Sequence, residues 1–332
     1  MRTVLVLATT DDTGVDRVSL QALTLGVTVA VGGPVHAVLI GGGSEAARAA
    51  ASLGEWGATA VHVAEVSAGS PVLTGFAPDA MARIVDDLAT SLGADVVIGA
   101  GTEAGNTVMA RVAARAGLPF AANCIAAGSG DPSRDTLTVT RQRWGGSLLE
   151  ESAIRTDRAV LTVAPHALTA ARTGGTATIE TFTPQLDDAD LTVRVVDRIP
   201  AAVAGVSLAE AKVVVTGGRG AGSAQGFAPV VELADLLGAA VGCSRAVTIS
   251  GWRPHTDQVG QTGTKIAPDL YILAGVSGAT QHMAGCKGAK LILAINKDVD
   301  APIMAAADYA VIGDLHEVLP AISEEIRRRR GA

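Results

Sequence analysis

The sequence predicts an α/β protein of two domains. The first is a parallel, nucleotide-binding-like α/β sheet with an added β segment. The second is a doubly wound, Rossmann-like sheet. Three observations predict this. The 332 residues exceed one ordinary domain and fit about two. Hydrophobic residues make up 48% of the chain, yet only nine are Phe, Trp or Tyr. Small aliphatic side chains must therefore fill the core, which suits helices packed on buried sheets. Finally, short β-rich runs alternate with Ala-rich periodic segments, the pattern of a parallel sheet with crossover helices.

In chain order, Arg2–Ala8, Val35–Ile40, Ala60–Val63 and Asp95–Ala100 read as strands. Asp16–Val31, Ser44–Leu53, Pro78–Leu92 and Ala104–Ala116 read as the helices between and after them. From about Thr136 the helices stop. Leu137–Arg141, Ser147–Ile154, Ala159–Val163 and Ala177–Phe182 read as strands joined by turns. Gln185–Leu208 carries acids, one proline and one more strand-like run, Leu191–Val195, and reads as a linker region. Alternation then restarts. Strands are expected at Lys212–Thr216, Ala239–Cys243, Asp269–Val276, Lys290–Ile295 and Tyr309–Ile312. Helices are expected at Phe227–Leu237, from Gln281 to Cys286, and at Asp314–Arg330, capped by Asp314. The expected domains are residues 1–200, serving a subunit interface and holding no cofactor of their own, and residues 206–330, holding the ligand.

Charge and cysteines narrow the function. Residues 1–205 carry 14 Arg, no Lys and 21 acids, whereas residues 206–332 carry 12 of each sign. A chain of net charge −7 with few rings is a poor binder of nucleic-acid backbone or stacked bases. Arg327–Arg330 read as a solvated helix end, where cations suit the helix dipole. Cys124, Cys243 and Cys286 are odd in number and lack CxxC spacing, so neither a disulfide framework nor a zinc site is expected. The chain reads as reduced and cytoplasmic. Its N-terminus reads as a first strand rather than a signal peptide.

In open parallel sheets, ligands sit beyond the carboxyl ends of the strands. In the second half those ends carry Gly217–Ser223, Ser244-Arg245, Ser277–His282, Asn296-Lys297-Asp298 and Gly313-Asp314-Leu315. Each is weak alone, and Gly217–Gly222 is not a strict GxGxxG. Together, five loops of Gly, Ser, Asn, Asp, Arg and His make a crevice for phosphate and ribose. Ser277-Gly278 opens a helix, whose first amides favour phosphate. The long polar loop Gly251–Gly263 has Gln and Thr side chains suited to the edge of a planar heterocycle. In the first half, Gly41–Ser44 and Gly101–Glu103 lack basic or amide partners for a phosphate and read as plain turns. No Ser-His-Asp set, HExxH or paired carboxylates stand in a plausible site, so a substrate-converting centre is not expected.

Several of these strings resemble the electron transfer flavoprotein alpha subunit family. They are Gln258–Gly263 (QVGQTG), Ala267–Tyr271, Gly275–Gly285 and Ala294–Asp298, with Gly217–Gly220 and Ser244-Arg245 at the family's GGRG and SR elements. In the first half Leu118–Cys124 and Arg143–Gly146 are similar to further family elements. The resemblance implies FAD, held mainly by the second domain, and a heterodimer with an electron transfer flavoprotein beta subunit. It implies dehydrogenases as electron donors and a downstream acceptor such as a membrane quinone oxidoreductase. Carried over residue by residue, Thr262 would lie near flavin N5 with Gln261 beside it, within a segment that includes Gln258, Gly260 and Gly263. His282 would face the C2 carbonyl and Arg245 the ring system. Ser244, Ser277, Gly278, Ala279 and Gln281 would hold ribityl and pyrophosphate. Arg219, Asn296, Lys297, Asp314 and Leu315 would surround the adenosine side, and Gly218, Gly220 and Asp298 count among the cofactor-binding residues. Ile249 stands where the family often has an acid (SR-x-x-x-D), so a higher first-electron potential is expected than in relatives with that acid. Thr264 precedes Lys265 where the family has QTGK, so Lys265 is given no role, and Thr280 replaces a usual Ile or Val. The alternative reading is a nicotinamide- or adenine-nucleotide-binding oxidoreductase or regulatory protein. Against a nicotinamide site, no acid follows a strict GxGxxG at the expected spacing of about 20 residues.

Overall fold

A computed structural model describes all residues except 12–13, 67–69, 71, 73–75, 129–135, 147, 197–206 and 332. Backbone contacts divide the chain into two compact units, Met1–Ile199 and Pro200–Ala332. Of the Gln185–Leu208 segment read as a linker region, residues 197–206 lie outside the described residues.

The first unit is built on a nine-stranded sheet. Its strands are β1 (Val4–Ala8), β4 (Val35–Gly41), β5 (Ala60–Glu65), β6 (Val96–Ala100), β7 (Phe120–Gly128), β8 (Thr136–Arg143), β9 (Leu148–Arg155), β10 (Ala159–Val163) and β11 (Thr178–Phe182). A small hairpin, β2 (Thr10–Asp11) with β3 (Gly14–Val15), stands apart. The order is β11-β5-β4-β1-β6-β10-β7-β8-β9. Seven strands from β11 to β7 run parallel, and β8 and β9 extend the sheet antiparallel. The central strands β1 and β6 are buried along their whole length, as continuous aliphatic runs require. Four helices are described: α1 (Arg17–Ala30), α2 (Gly43–Leu53), α3 (Pro78–Ser91) and α4 (Glu103–Ala116). The Asp16 carboxylate caps α1 by accepting from the Val18 and Ser19 amides.

Two sequence expectations change here. Phe120–Gly128 is a strand that the pattern did not reveal, because its small residues are only half-buried at several positions. Leu191–Val195 is not a strand. Asp187 and Asp190 exchange side-chain-to-amide hydrogen bonds, and the Leu191 amide donates back to the Asp188 carbonyl, so the chain turns instead. Arg115 holds the buried Asp190 at 3.0 Å.

Within this sheet His36 Nδ1 and His62 Nε2 lie 2.9 Å apart on β4 and β5. Burial lowers the pKa of both rings, and the nearby Glu180 opposes this only in part. The unfolded chain therefore takes up protons before the folded chain does. Stability is full above pH about 6.5, the ordinary histidine value, and falls as the pH drops below it. The melting temperature of the wild type is expected to fall more between pH 7 and pH 5 than that of a His36→Gln/His62→Gln variant. Parallel pH profiles in thermal unfolding would refute this.

The second unit is a five-stranded parallel sheet of β12 (Val213–Gly217), β13 (Ala240–Cys243), β14 (Leu270–Ala274), β15 (Ile292–Asn296) and β16 (Tyr309–Ile312). Its order, β13-β12-β14-β15-β16, is the flavodoxin-like 2-1-3-4-5 form of the doubly wound fold. The helices are α5 (Ala228–Leu237), α6 (Arg245–Ile249), α7 (Thr280–Met283), α8 (Pro302–Ala306) and α9 (Leu315–Arg330). The helix expected from Gln281 to Cys286 is thus a single turn. Asp314 caps α9 through the His316 amide. The four closing arginines are engaged within the unit. Arg327 pairs with Glu232, Arg328 and Arg329 share Glu325, and Arg330 donates to the Leu236 carbonyl. Phe227 and Tyr271 are the largest fully buried side chains of the unit. Cys124, Cys243 and Cys286 are buried and unpaired.

Candidate functional site

Strand order reverses between β12 and β14, and a cleft of about 400 Å³ opens beyond their carboxyl ends. Of the residues expected in the site, Arg219, Gly220, Ser244, Ser277, Asn296, Lys297, Asp298, Asp314 and Leu315 line it. Glycine is required where two loops press together. A methyl on Gly218 would stand 2.2 Å from the Gly275 carbonyl oxygen, and one on Gly220 would stand 2.7 Å from Gly275 Cα. The Gly218 and Gly220 amides are used inside the chain, donating to the Ala274 and Gly275 carbonyls. The glycine-rich turn therefore shapes the cleft floor and does not offer those amides to a phosphate.

Free amides lie elsewhere. Among the described residues, the backbone amides of Ser277, Gly278, Ala279, Thr280 and Gln281 donate no hydrogen bond. Gly278 adopts φ +78° against the Ile303 backbone, which turns this run toward α7. Successive unpaired amides form an anion-binding concavity. Across the cleft, Lys297 Nζ meets Asp314 at 2.6 Å. That hydrogen bond, with one from the His316 amide, holds the Asp314 carboxyl below the usual range. The Asn296 amide donates to the Val276 carbonyl, locking β15 to the β14 loop.

The remaining expected residues gather beside this run. The Gln261 amide donates to the Gln281 carbonyl at 2.7 Å, joining the Gln258–Gly263 loop to α7. The loop is anchored from below, since Asp257, Gln258, Val259 and Gly260 are buried. Gln258 spends both ends of its amide internally. Its oxygen accepts from the Thr248 hydroxyl at 2.6 Å, and its nitrogen donates to the Thr262 hydroxyl at 3.0 Å. The exposed Thr262 hydroxyl thereby keeps its own proton for another acceptor. Gly263 packs tightly, as a methyl there would stand 2.2 Å from the Gln258 backbone carbonyl oxygen. Arg245 opens α6 with its side chain in solvent, and Ile249 at the end of α6 is 75% exposed.

His282 is buried. Its Nε2 lies 2.8 Å from the Tyr271 hydroxyl, and its Nδ1 has no hydrogen-bond partner among the described residues. Burial pushes its pKa down to about 4, so the ring is neutral at pH 7. Gly313, in one of the five strand-end loops read as the crevice, lines the cleft too, while sequence reasoning gave no site role to Ala246, Gly275, Ile295, Ala301 and His316, which also line it. Gly275 follows the end of β14 and was open to the same reasoning as its neighbours. His316 carries no sequence signal beyond following the cap.

Residues 4–187 match the family described as "Electron transfer flavoprotein domain", and residues 207–287 match the "Electron transfer flavoprotein FAD-binding domain". The chain belongs to the electron transfer flavoprotein alpha subunit family. Relatives named "Electron transfer flavoprotein subunit alpha" include that of Mycobacterium tuberculosis (strain CDC 1551 / Oshkosh), 38% identical over all of both chains. That of Mycobacterium leprae (strain TN) is 36% identical over all of both chains. That of Bacillus subtilis (strain 168) is 35% identical over 98% of this chain and 97% of its own. FAD is the cofactor of this flavoprotein family. The unpaired amides fit a ligand with a pyrophosphate, and the unmatched His282 nitrogen fits a polar heterocycle. No helix among the described residues is long and apolar enough to cross a membrane.

Proposed function

We propose that this chain is the FAD-carrying subunit of a heterodimer with an electron transfer flavoprotein beta subunit. It takes electrons from dehydrogenases and passes them to a downstream acceptor such as a membrane quinone oxidoreductase. The three unpaired cysteines suit a reducing compartment such as the cytoplasm. The observation that carries the reading is the run of five unpaired amides from Ser277 to Gln281 at the switch point. FAD, when bound, supplies the one-electron chemistry.

The chain's residues bind and tune. The Ser277–Gln281 amides, with Ser277 and Ser244, hold the pyrophosphate and ribityl chain. Arg219, Gly220, Asn296, Lys297, Asp298, Asp314 and Leu315 take the adenosine side, above the floor set by Gly218. Gln258 turns the Thr262 hydroxyl outward as a donor toward the flavin edge, with Gly260, Gln261 and Gly263 shaping that rim. His282 serves the C2 carbonyl, and Arg245 places a permanent cation near the ring. With only Phe227, Trp252, Tyr271 and Tyr309 as rings in this unit, and Phe227 and Tyr271 in its core, polar loops rather than aromatic walls hold the flavin.

Co-expression with a beta-subunit gene tests the reading. A yellow purified complex with a two-band flavin spectrum is expected. A colourless complex that binds NADH or only AMP would overturn it in favour of nicotinamide or adenine-nucleotide binding.

A further inference from the structure

We propose that Arg253 and Asp257 are positioning residues. They form a strut that ties the Gln258–Gly263 loop to the end of β12, and so fix where the Thr262 hydroxyl meets the flavin. This rests on the placement of Thr262 at the flavin edge made above. It traces that placement to two residues, neither of which lines the cleft.

Between α6 and the loop tip the chain has one short regular element, a single 3₁₀ turn at His255–Asp257. Arg253 and Asp257 clasp that turn. Arg253 Nε and Nη2 both reach Asp257 Oδ2, at 2.8 and 2.6 Å. The Asp257 side chain is 10% exposed, and among the described residues Arg253 is the cation paired with it. A buried carboxylate depends on its partner, because losing the cation strands the charge. The other end of the strut is apolar. The Arg253 guanidinium lies 6.0 Å from the centre of the Phe227 ring, within reach of cation–π attraction. Phe227 cannot retreat. It is fully buried, and a methyl on Gly217, at the end of β12, would stand 2.5 Å from its ring. The strut thus runs from Gly217 through Phe227 and Arg253 to Asp257.

Its far end sets the loop. Asp257 is followed directly by Gln258, whose backbone bridges Cys243 at the end of β13. The Val259 amide donates to the Cys243 carbonyl at 3.0 Å. The Thr264 amide donates to the Gln258 carbonyl at 2.7 Å, which closes the loop with Thr262 in its tip. The Gln258 side chain also lies 3.0 Å from the Thr262 hydroxyl. Thr262 therefore follows wherever Gln258 is held. The tip itself is polar and partly exposed, so it contributes little burial of its own to stay in place. The strut supplies the fixed point, and it joins the strand end that carries the glycine-rich turn to the loop that carries the flavin-edge donor.

The test uses the FAD-loaded heterodimer. Asp257→Ala removes the strut's far end, and Arg253, 29% exposed, can turn its charge to water. The variant is expected to bind FAD about tenfold more weakly, the value of one hydrogen bond to a charged group, and to have a more negative flavin potential. Charge alone predicts the opposite sign, because an unneutralised Arg253 would favour the reduced flavin. Asp257→Asn keeps an acceptor for Arg253 and should shift both quantities the same way by less. Thr262→Val should lower the potential, and the double variant Asp257→Ala/Thr262→Val should sit no lower than Thr262→Val, since the strut acts through that hydroxyl. A potential that rises or stays at the wild-type value in Asp257→Ala, or in Asp257→Asn should the alanine variant not assemble, overturns the strut. An additive fall in the double variant overturns it too. In each of these cases a lowered potential in Thr262→Val leaves the placement of Thr262 standing. If Thr262→Val leaves the potential unchanged, that placement fails and the strut's role with it.

Discussion

Gly218→Ala is expected to destabilise the second unit by about 3 kcal/mol, the upper end for overpacking, and to strip FAD from the complex. The φ of Gly218 is −109°, which any residue adopts, so the penalty is purely steric. An added methyl would stand 2.2 Å from the Gly275 oxygen, 2.6 Å from its carbonyl carbon and 2.7 Å from Val276 Cα. All three are backbone atoms, and no side chain can swing aside. Relief requires the β12 and β14 loops to separate at the switch point, and those loops carry Arg219, Gly220 and Ser277 into the cleft. Stability and cofactor retention should fall together. Thermal unfolding and the flavin content of the purified heterodimer check this, and unchanged melting with full flavin content would refute it. A methyl on Gly222 meets nothing within 4 Å, but φ there is +76°. Gly222→Ala is therefore a milder control, limited to backbone strain of about 1 kcal/mol.

Arg245→Ala is expected to lower the potential of the bound FAD by on the order of 60 to 100 mV. A unit charge at about 4 Å in an effective dielectric near 20 is worth up to about 4 kcal/mol. Solvent beside the exposed Arg245 side chain reduces this to about 1.4–2.4 kcal/mol, and about 1.4 kcal/mol corresponds to 59 mV for one electron. Among the described residues no carboxylate pairs with Arg245, so its charge is not already neutralised. Arg245→Lys should retain most of the potential, since a cation remains. Ile249→Asp should lower it by less than Arg245→Ala, because position 249 is 75% exposed and water screens a carboxylate there. Redox titration of the four proteins gives the ranking, and an Arg245→Ala potential equal to that of wild type would overturn the role.

The fold was largely legible because its signals are periodic. β1 and β6 announce themselves as unbroken aliphatic runs, and α9 by its Asp314 cap and apolar spacing. β7 escaped because Ala121, Ala122, Ala126 and Ala127 have no strand preference of their own, and pairing with β10 and β8 decides their state. Leu191–Val195 misled because its apolar content is strand-like while two aspartates nearby command the backbone. In the site, strand-end loops gave the cleft residues by topology alone. The Gly251–Gly263 loop stood out by its length and its Gln and Thr side chains, but nothing local shows that Gln258 turns inward to hold Thr262. Tyr271 gave no sequence signal as a partner of His282. The two meet only when a strand and a one-turn helix are folded onto each other.

The buried cysteines bear on how the chain resists oxidation. Burial pushes the thiols of Cys124, Cys243 and Cys286 up to about 12. At neutral pH almost none of the sulfur is thiolate, the form that peroxide and disulfide reagents attack. The chain thus keeps its cysteine sulfur out of reach of oxidants. The same silence leaves the surface chemically blank. A single cysteine introduced on an exposed helix of either unit would be the one site a maleimide dye finds, and native sulfur would add no background to the signal.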